Sequence, residues 1–253
     1  MLSSKDFTFT SYQDSRTQQR EGFVSGLSGP LLFAIHKETG EKYIVKHTYR
    51  NNAANEFVAC WLAEKLSVPA PKAHLLSKNR LFTTEYAVAI SYIDGFHAVK
   101  KEDLSSEMIE DIVKQYAFNS LTAPDDKVQM SAAGNHVYSY DFSERFCVEN
   151  ESLLQAFQID EDSGIDAVKR TLQAFRRSLQ YVTFNLPEIA AEYGLDPKKQ
   201  KSSMIATAKR ALTITESEIR ELSDELIEMY PIGYSVYYEE CIRIIQKFVS
   251  RFK

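Results

Sequence analysis

Apolar and polar positions follow two different rhythms along the chain. Up to about residue 100 they form short alternating or wholly apolar runs punctuated by turns, the signature of strands. Phe7–Thr10, Leu31–His36, Lys42–His47, Ala73–Leu76 and Tyr86–Ser91 read this way, and Gly40 supplies the turn of a hairpin between the second and third. One helix is expected in this half, from about Ala53 to Leu66, because Phe57, Cys60, Trp61 and Leu62 recur at helical spacing. Pro69 and Pro71 forbid its continuation. From Leu104 onward the helical period dominates, over Glu107–Leu121, Val168–Phe184, Ser202–Leu212, Glu216–Met229 and Tyr234–Phe252. Thr215 and Glu218 have the spacing of a capping box, and Pro231 and Gly233 separate the last two helices. A polar, irregular interruption falls between Thr122 and Phe146, and the run Asp196–Lys201 reads as a solvated loop. Strands followed by helices predict an α+β fold of one domain with two lobes, residues 1–95 strand-rich and residues 96–253 helical.

Composition narrows the picture without deciding it. With 253 residues, 44% of them hydrophobic and 26% charged, the chain has the make-up of a globular protein. Its net charge of -5 argues against broad nucleic-acid binding, which needs a basic face. No apolar run approaches the ~20 residues of a membrane-spanning helix. The first residues, Met1 to Asp6, lack the pattern of a signal peptide. Cys60, Cys147 and Cys241 are odd in number and irregularly spaced, so neither a disulfide framework nor a zinc site is expected. A cytoplasmic protein fits these features, and so does a secreted effector without a classical signal.

Candidate chemistry begins at Lys46, at the end of the apolar run Tyr43-Ile44-Val45-Lys46. An ammonium projecting from a buried strand needs a negative partner. Glu56, ten residues on in the stretch Asn55-Glu56-Phe57-Val58-Ala59, is positioned to supply one from the following helix. Upstream lies Gly22-Phe23-Val24-Ser25-Gly26-Leu27-Ser28-Gly29-Pro30. Alone this is a plain turn. One hairpin before Lys46 it becomes a candidate phosphate cradle, with Gly26 and Gly29 permitting close backbone approach and Ser25 or Ser28 adding a hydroxyl. Ser91-Tyr92-Ile93, where the strand-rich half gives way to the helical one, is a candidate hinge whose backbone could meet an adenine edge. Asp125 and Asp126 follow Pro124, where they initiate a turn or supply a catalytic carboxylate. Asp141, at the end of Val137-Tyr138-Ser139-Tyr140, projects from a strand end and could hold Mg²⁺.

Taken in order, these parts resemble the HipA-like kinases, relatives of the protein-kinase fold. The likeness rests on Tyr43-Ile44-Val45-Lys46, Asn55-Glu56-Phe57-Val58-Ala59, the turn Leu66-Ser67-Val68-Pro69-Ala70-Pro71, the segment Phe118 to Lys127, and Tyr138-Ser139-Tyr140-Asp141-Phe142. It implies a two-lobed protein kinase-like fold that transfers the γ-phosphate of ATP, with Mg²⁺, to a serine or threonine of a protein. By that resemblance Lys46 grips the phosphates, Glu56 tethers it, Asp126 is the catalytic aspartate with Lys127 in the place of arginine, and Asp141 is a metal ligand. Gly26, Ser28 and Gly29 cover the phosphates, and Ser91, Tyr92 and Ile93 form the hinge. The family's metal-binding asparagine falls at Ser131, or at Met130 if Asp125 is the catalytic residue. Gln129, Ser131 and Asn135 are therefore the candidates for the second metal position. This departure keeps open a pseudokinase that binds nucleotide or a partner without turnover. A lipid or small-molecule kinase shares the scaffold. A helical interaction protein with a small sheet, the remaining alternative, predicts that Lys46 and Asp141 do not meet. No separate N-terminal module is expected before the core.

Overall fold

A computed structural model describes residues 2–11, 31–47, 50–77, 87–122, 129–143, 145–146, 161–184, 187–230 and 232–252. Six strands form one sheet: β1 (Leu2–Ser3), β2 (Phe7–Ser11), β3 (Leu31–His36), β4 (Lys42–His47), β5 (Ala73–Ser77) and β6 (Ala87–Ser91), in the order β1-β5-β6-β4-β3-β2. All neighbours are antiparallel except β1 and β5. The β3–β4 hairpin turns at Gly40, whose φ of 71° favours a residue without a Cβ.

The two edge strands, β1 and β2, are consecutive in sequence and joined only by a 3-10 turn, Ser4–Asp6. Three residues reach roughly 10 Å at most, so the edges must curl toward each other. Asp6 fixes the turn by accepting the Ser3 backbone N–H at 2.8 Å. β1 is too short for any sequence period to reveal. Alternation along β4 then sorts two cores. Tyr43 and Val45 point into the curl with Phe7, Ala34, Leu76 and Ala89. Ile44 and Lys46 belong to the opposite face, where Lys46 sits beside Val88 on β6.

Across that second face lies α1 (Arg50–Lys65). It is buried on nearly all sides from Asn52 to Cys60, as a helix wedged between two layers must be. Ala53, Ala54, Ala59 and Ala63 let both layers approach closely. The second layer is the helical part: α2 (Ser106–Thr122), α3 (Glu161–Gln180), α4 (Pro187–Tyr193), α5 (Pro197–Lys209), α6 (Glu216–Ile227) and α7 (Ile232–Val249). Its apolar residues merge with those of α1, Leu75, Val88 and Ile90 into one continuous core. The interruption after α2 contains a second hairpin, β7 (Met130–Ala133) and β8 (His136–Ser139), and His97 bridges to Ala132 at its edge.

Two helix starts test local rules. Thr215 caps α6 in a reciprocal capping box: its N–H donates to the Glu218 carboxylate at 2.8 Å, and its hydroxyl accepts the Glu218 N–H at 3.3 Å. The run Asp196–Lys201, expected to be a loop, instead opens α5. Pro197 occupies the first turn and Asp196 accepts the Lys198 N–H at 2.9 Å, so Asp196 is an N-cap and the proline a helix starter.

Candidate active site

Lys46 lies near the end of β4 with its amine held by two carboxylates. It donates to Glu56 Oε1 in a short contact and to Asp141 Oδ1 at 2.9 Å. Three distant pieces of chain therefore meet: β4, the second turn of α1, and the segment following β8. Glu56 comes from a helix buried on both sides, so its side chain is only 1% exposed, against 20% for Lys46 and 32% for Asp141. The convergence removes the interaction-protein alternative, which required Lys46 and Asp141 to lie apart.

The three charges perturb one another. Burial pulls the Lys46 ammonium toward its neutral form, but the charge of Glu56 and then that of Asp141 outweigh it, so its pKa lies above the ordinary lysine value. Burial pushes Glu56 up, more than the Lys46 charge brings it down. Burial also pushes Asp141 up, yet there the Lys46 charge and hydrogen bond prevail and hold the carboxyl below its ordinary range. The more open carboxylate is thus the one most firmly ionised.

Asp141 adopts φ = 62°, the left-handed region that a non-glycine residue rarely occupies. Such a conformation persists only where its surroundings enforce it, and these positions cluster at functional sites. Contacts from α2 hold the chain on either side of Asp141. Asp111, Gln115 and Asn119, spaced i, i+4, i+8 on one helical face, are all buried. Asp111 accepts the His136 Nδ1–H at 2.9 Å and the Val137 N–H at 3.2 Å. Gln115 donates from Nε2 to the Val137 carbonyl at 3.1 Å and to the Pro69 carbonyl at 2.5 Å. Asn119 accepts from the buried guanidinium of Arg145, which also lies 5.4 Å from the Phe142 ring centroid. At the helix end, the Thr122 carbonyl accepts the Phe146 N–H at 2.7 Å. This polar row fixes both sides of the segment that carries Asp141. Sequence reading missed it, because Asp111, Gln115 and Asn119 have the letters of surface positions in a helix that also carries Glu107, Glu110 and Lys114.

The remaining candidates divide three ways. Gly26, Ser28, Gly29 and Asp126, with Ser25 and Asp125, lie outside the described residues. At the hinge, the Ser91 N–H donates to the Lys72 carbonyl at 2.7 Å and the Tyr92 N–H to the Lys42 carbonyl at 2.9 Å. Both are occupied by neighbouring chain, which leaves Ile93 as the first residue past these sheet contacts. The structure does not bring Gln129 or Ser131 onto Asp141. Gln129 is exposed, and its carbonyl accepts the Tyr140 N–H at 3.4 Å. Ser131 pairs in register with Tyr138, and its hydroxyl lies 3.5 Å from that of Tyr140. The hydroxyl beside Asp141 is instead that of Ser143, 3.4 Å from Oδ1. Among the described residues no group of three or more histidines, cysteines and acids could by itself enclose a metal.

No protein-family model matches the chain, and no curated protein matches it. Among solved structures it is similar to a Helicobacter pylori proinflammatory kinase, CtkA. The identity is 11%, the TM-score is 0.50, and the match covers 91% of this chain and 94% of that one. The chain has a kinase-like fold. At this identity the likeness speaks to architecture, and what the site does has to be argued from its own residues. No helix among the described residues is long and apolar enough to cross a membrane.

Proposed function

We propose that the chain transfers the γ-phosphate of ATP, in a Mg²⁺-dependent reaction, to a serine or threonine hydroxyl of a protein. The observation that carries this reading is the meeting of Lys46, Glu56 and Asp141 on one amine, on a scaffold similar to that of a kinase. The residues present fit a metal-bound triphosphate: an ammonium with a buried anionic tether, and a firmly ionised carboxylate that is one-third open and has a hydroxyl beside it. Asp141, with Ser143 as a neighbouring oxygen, would hold Mg²⁺, which supplies neutralisation of phosphate charge when bound. Lys46 would draw in the phosphate oxygens, and Glu56 keeps its amine aimed. Gly26, Ser28 and Gly29 would cover the phosphates, Ile93 would offer backbone to the adenine, and Asp126 would orient the acceptor hydroxyl and take its proton. Catalysis of this type works mainly through positioning and preorganised charge.

Incubation with radiolabelled ATP and Mg²⁺ tests it. Wild type should give labelled phosphoprotein, and Asp141→Ala should lose more than about a hundredfold, the scale of removing a preorganised charge contact. Equal labelling by both proteins would refute the proposal. One observation favours a second reading, nucleotide binding without turnover: Ser131, at the family's metal-asparagine position, faces Tyr140 rather than Asp141. Thermal stabilisation by ATP and Mg²⁺ without any phosphate transfer is the outcome that selects it.

A further inference from the structure

The residue before Glu56 makes contacts that the phosphate site does not use. Asn55 is completely buried on α1, and both ends of its carboxamide are engaged. Its Nδ2 donates to the Ser143 carbonyl at 2.8 Å, and its Oδ1 accepts from the Tyr238 hydroxyl at 2.6 Å. The orientation is unambiguous, because a carbonyl only accepts and so must face the amide nitrogen, leaving the oxygen for the tyrosine. Tyr238 is itself completely buried on α7, and burial raises its hydroxyl pKa well above the ordinary value, which keeps it a donor.

One side chain thus joins three elements: the helix that carries Glu56, the last helix of the helical layer, and the segment two residues past Asp141. Successive helix residues point about 100° apart, so Glu56 can face Lys46 while Asn55 faces away toward α7. Withdrawing Glu56 by rotating or tilting α1 would break both Asn55 bonds where no water replaces them. The other end of α1 is tied to the same layer. Lys65 donates to Glu218 of α6 at 2.7 Å, and Ser67 accepts from Arg210 just beyond. α1 is mechanically part of the helical layer as much as of the sheet.

We propose that Tyr238, Asn55 and the Ser143 carbonyl form a positioning clasp that holds Glu56 and Asp141 together on the Lys46 amine, so that the site stands assembled without a partner or a modification. Its catalytic consequence rests on the phosphoryl-transfer reading above, but its structural content does not. Asn55 and Tyr238 are positioning residues, acting through Glu56 and Asp141.

The test uses the full chain with Tyr238→Phe, Asn55→Asp and, as a control, Tyr116→Phe. The control deletes a tyrosine hydroxyl that donates to Glu192 at 3.0 Å, within the helical layer. Labelling of the Lys46 amine by an acylating reagent, read by mass spectrometry against the exposed lysines, reports whether the two carboxylates still hold it. Hydrogen–deuterium exchange reports the opening of α1. Losing one buried hydrogen bond should raise Lys46 labelling and α1 exchange by about tenfold in Tyr238→Phe. Asn55→Asp, which sets an acceptor against the Ser143 carbonyl, should raise them further, while Tyr116→Phe leaves them unchanged. Phosphate transfer by Tyr238→Phe should show a fall in kcat with little change in KM for ATP. Unaltered labelling and exchange in both clasp variants, or an equal rise in the control, overturns the clasp. The labelling ratio decides it whether or not wild type transfers phosphate. A wild type that neither binds ATP nor transfers phosphate would instead sink the reading beneath it.

Discussion

Two carboxylates share the Lys46 amine, and they sit in opposite surroundings. Glu56 arrives from a helix enclosed between sheet and helical layer, 1% exposed, with burial holding its pKa up. Asp141 arrives from a strand end in a left-handed turn, 32% exposed, with the lysine holding its pKa down. A buried ion pair is a rigid tether, since releasing either member strands a charge without water. A partly open carboxylate can trade its lysine for a cation arriving from solvent. The difference assigns permanence to the Lys46–Glu56 contact and exchange to the Lys46–Asp141 contact.

The sharpest way to break this division is to neutralise each carboxylate in turn. Asp141→Asn should lose phosphate transfer by more than about a hundredfold while costing at most ~1 kcal/mol of stability, because its partner stays paired and the site is open. Glu56→Gln should lower transfer by only about tenfold, because the isosteric amide oxygen can still accept from the Lys46 amine. Matched losses for the two variants would mean that the carboxylates are not functionally distinct.

A smaller effect separates them by sign. The folded pKa of Asp141 lies below its ordinary ~3.9, so its contribution to stability is full above that value and is lost as the pH falls through the folded pKa. The folded pKa of Glu56 is raised, so its contribution is fullest below the ordinary ~4.3 and is lost as the pH rises through the folded pKa. Urea unfolding of wild type minus Asp141→Asn should therefore climb with pH across the carboxylate range. Wild type minus Glu56→Gln should descend. Slopes of the same sign would contradict the assignment.

The smallest effect concerns the far end of α1. Glu218 closes the α6 capping box and receives Lys65, and its pKa is lowered to about 2 by the hydrogen bond from Lys65 and those of Thr215. Its contribution is present above the ordinary glutamate range and is lost as the pH falls toward about 2. Glu218→Gln should cost no more than about 1 kcal/mol at neutral pH, the size of a cap on an accessible surface, and should leave Lys46 labelling unchanged.

Much of the fold was legible because periodicity is local. Strands β3 and β4 and helix α6 with its capping box could be read from their own residues. So could Lys46, Glu56 and Asp141, because a charge at the end of an apolar run or on an apolar helix must find a partner or a ligand. The supporting groups were not legible. Asp111, Gln115, Asn119 and Asn55 have the letters of surface positions, and only tertiary packing buries them. Ser131 was chosen by spacing, but strand register decides which way a side chain points, and register with Tyr138 turned it from Asp141 to Tyr140. The run Asp196–Lys201 was read as a solvated loop from its polar letters, although Asp-Pro also has the letters of a helix start.

The central claim is that the Lys46 amine meets the phosphates of a nucleotide. An acyl-phosphate derivative of ATP, which transfers its acyl group to an amine lying against the triphosphate, tests this directly by peptide mass spectrometry. Lys46 should be the acylated lysine, Mg²⁺ should enhance the labelling, excess ATP should suppress it, and Asp141→Asn should weaken it. Acylation spread over exposed lysines, with Lys46 unmarked and ATP without effect, would contradict the account.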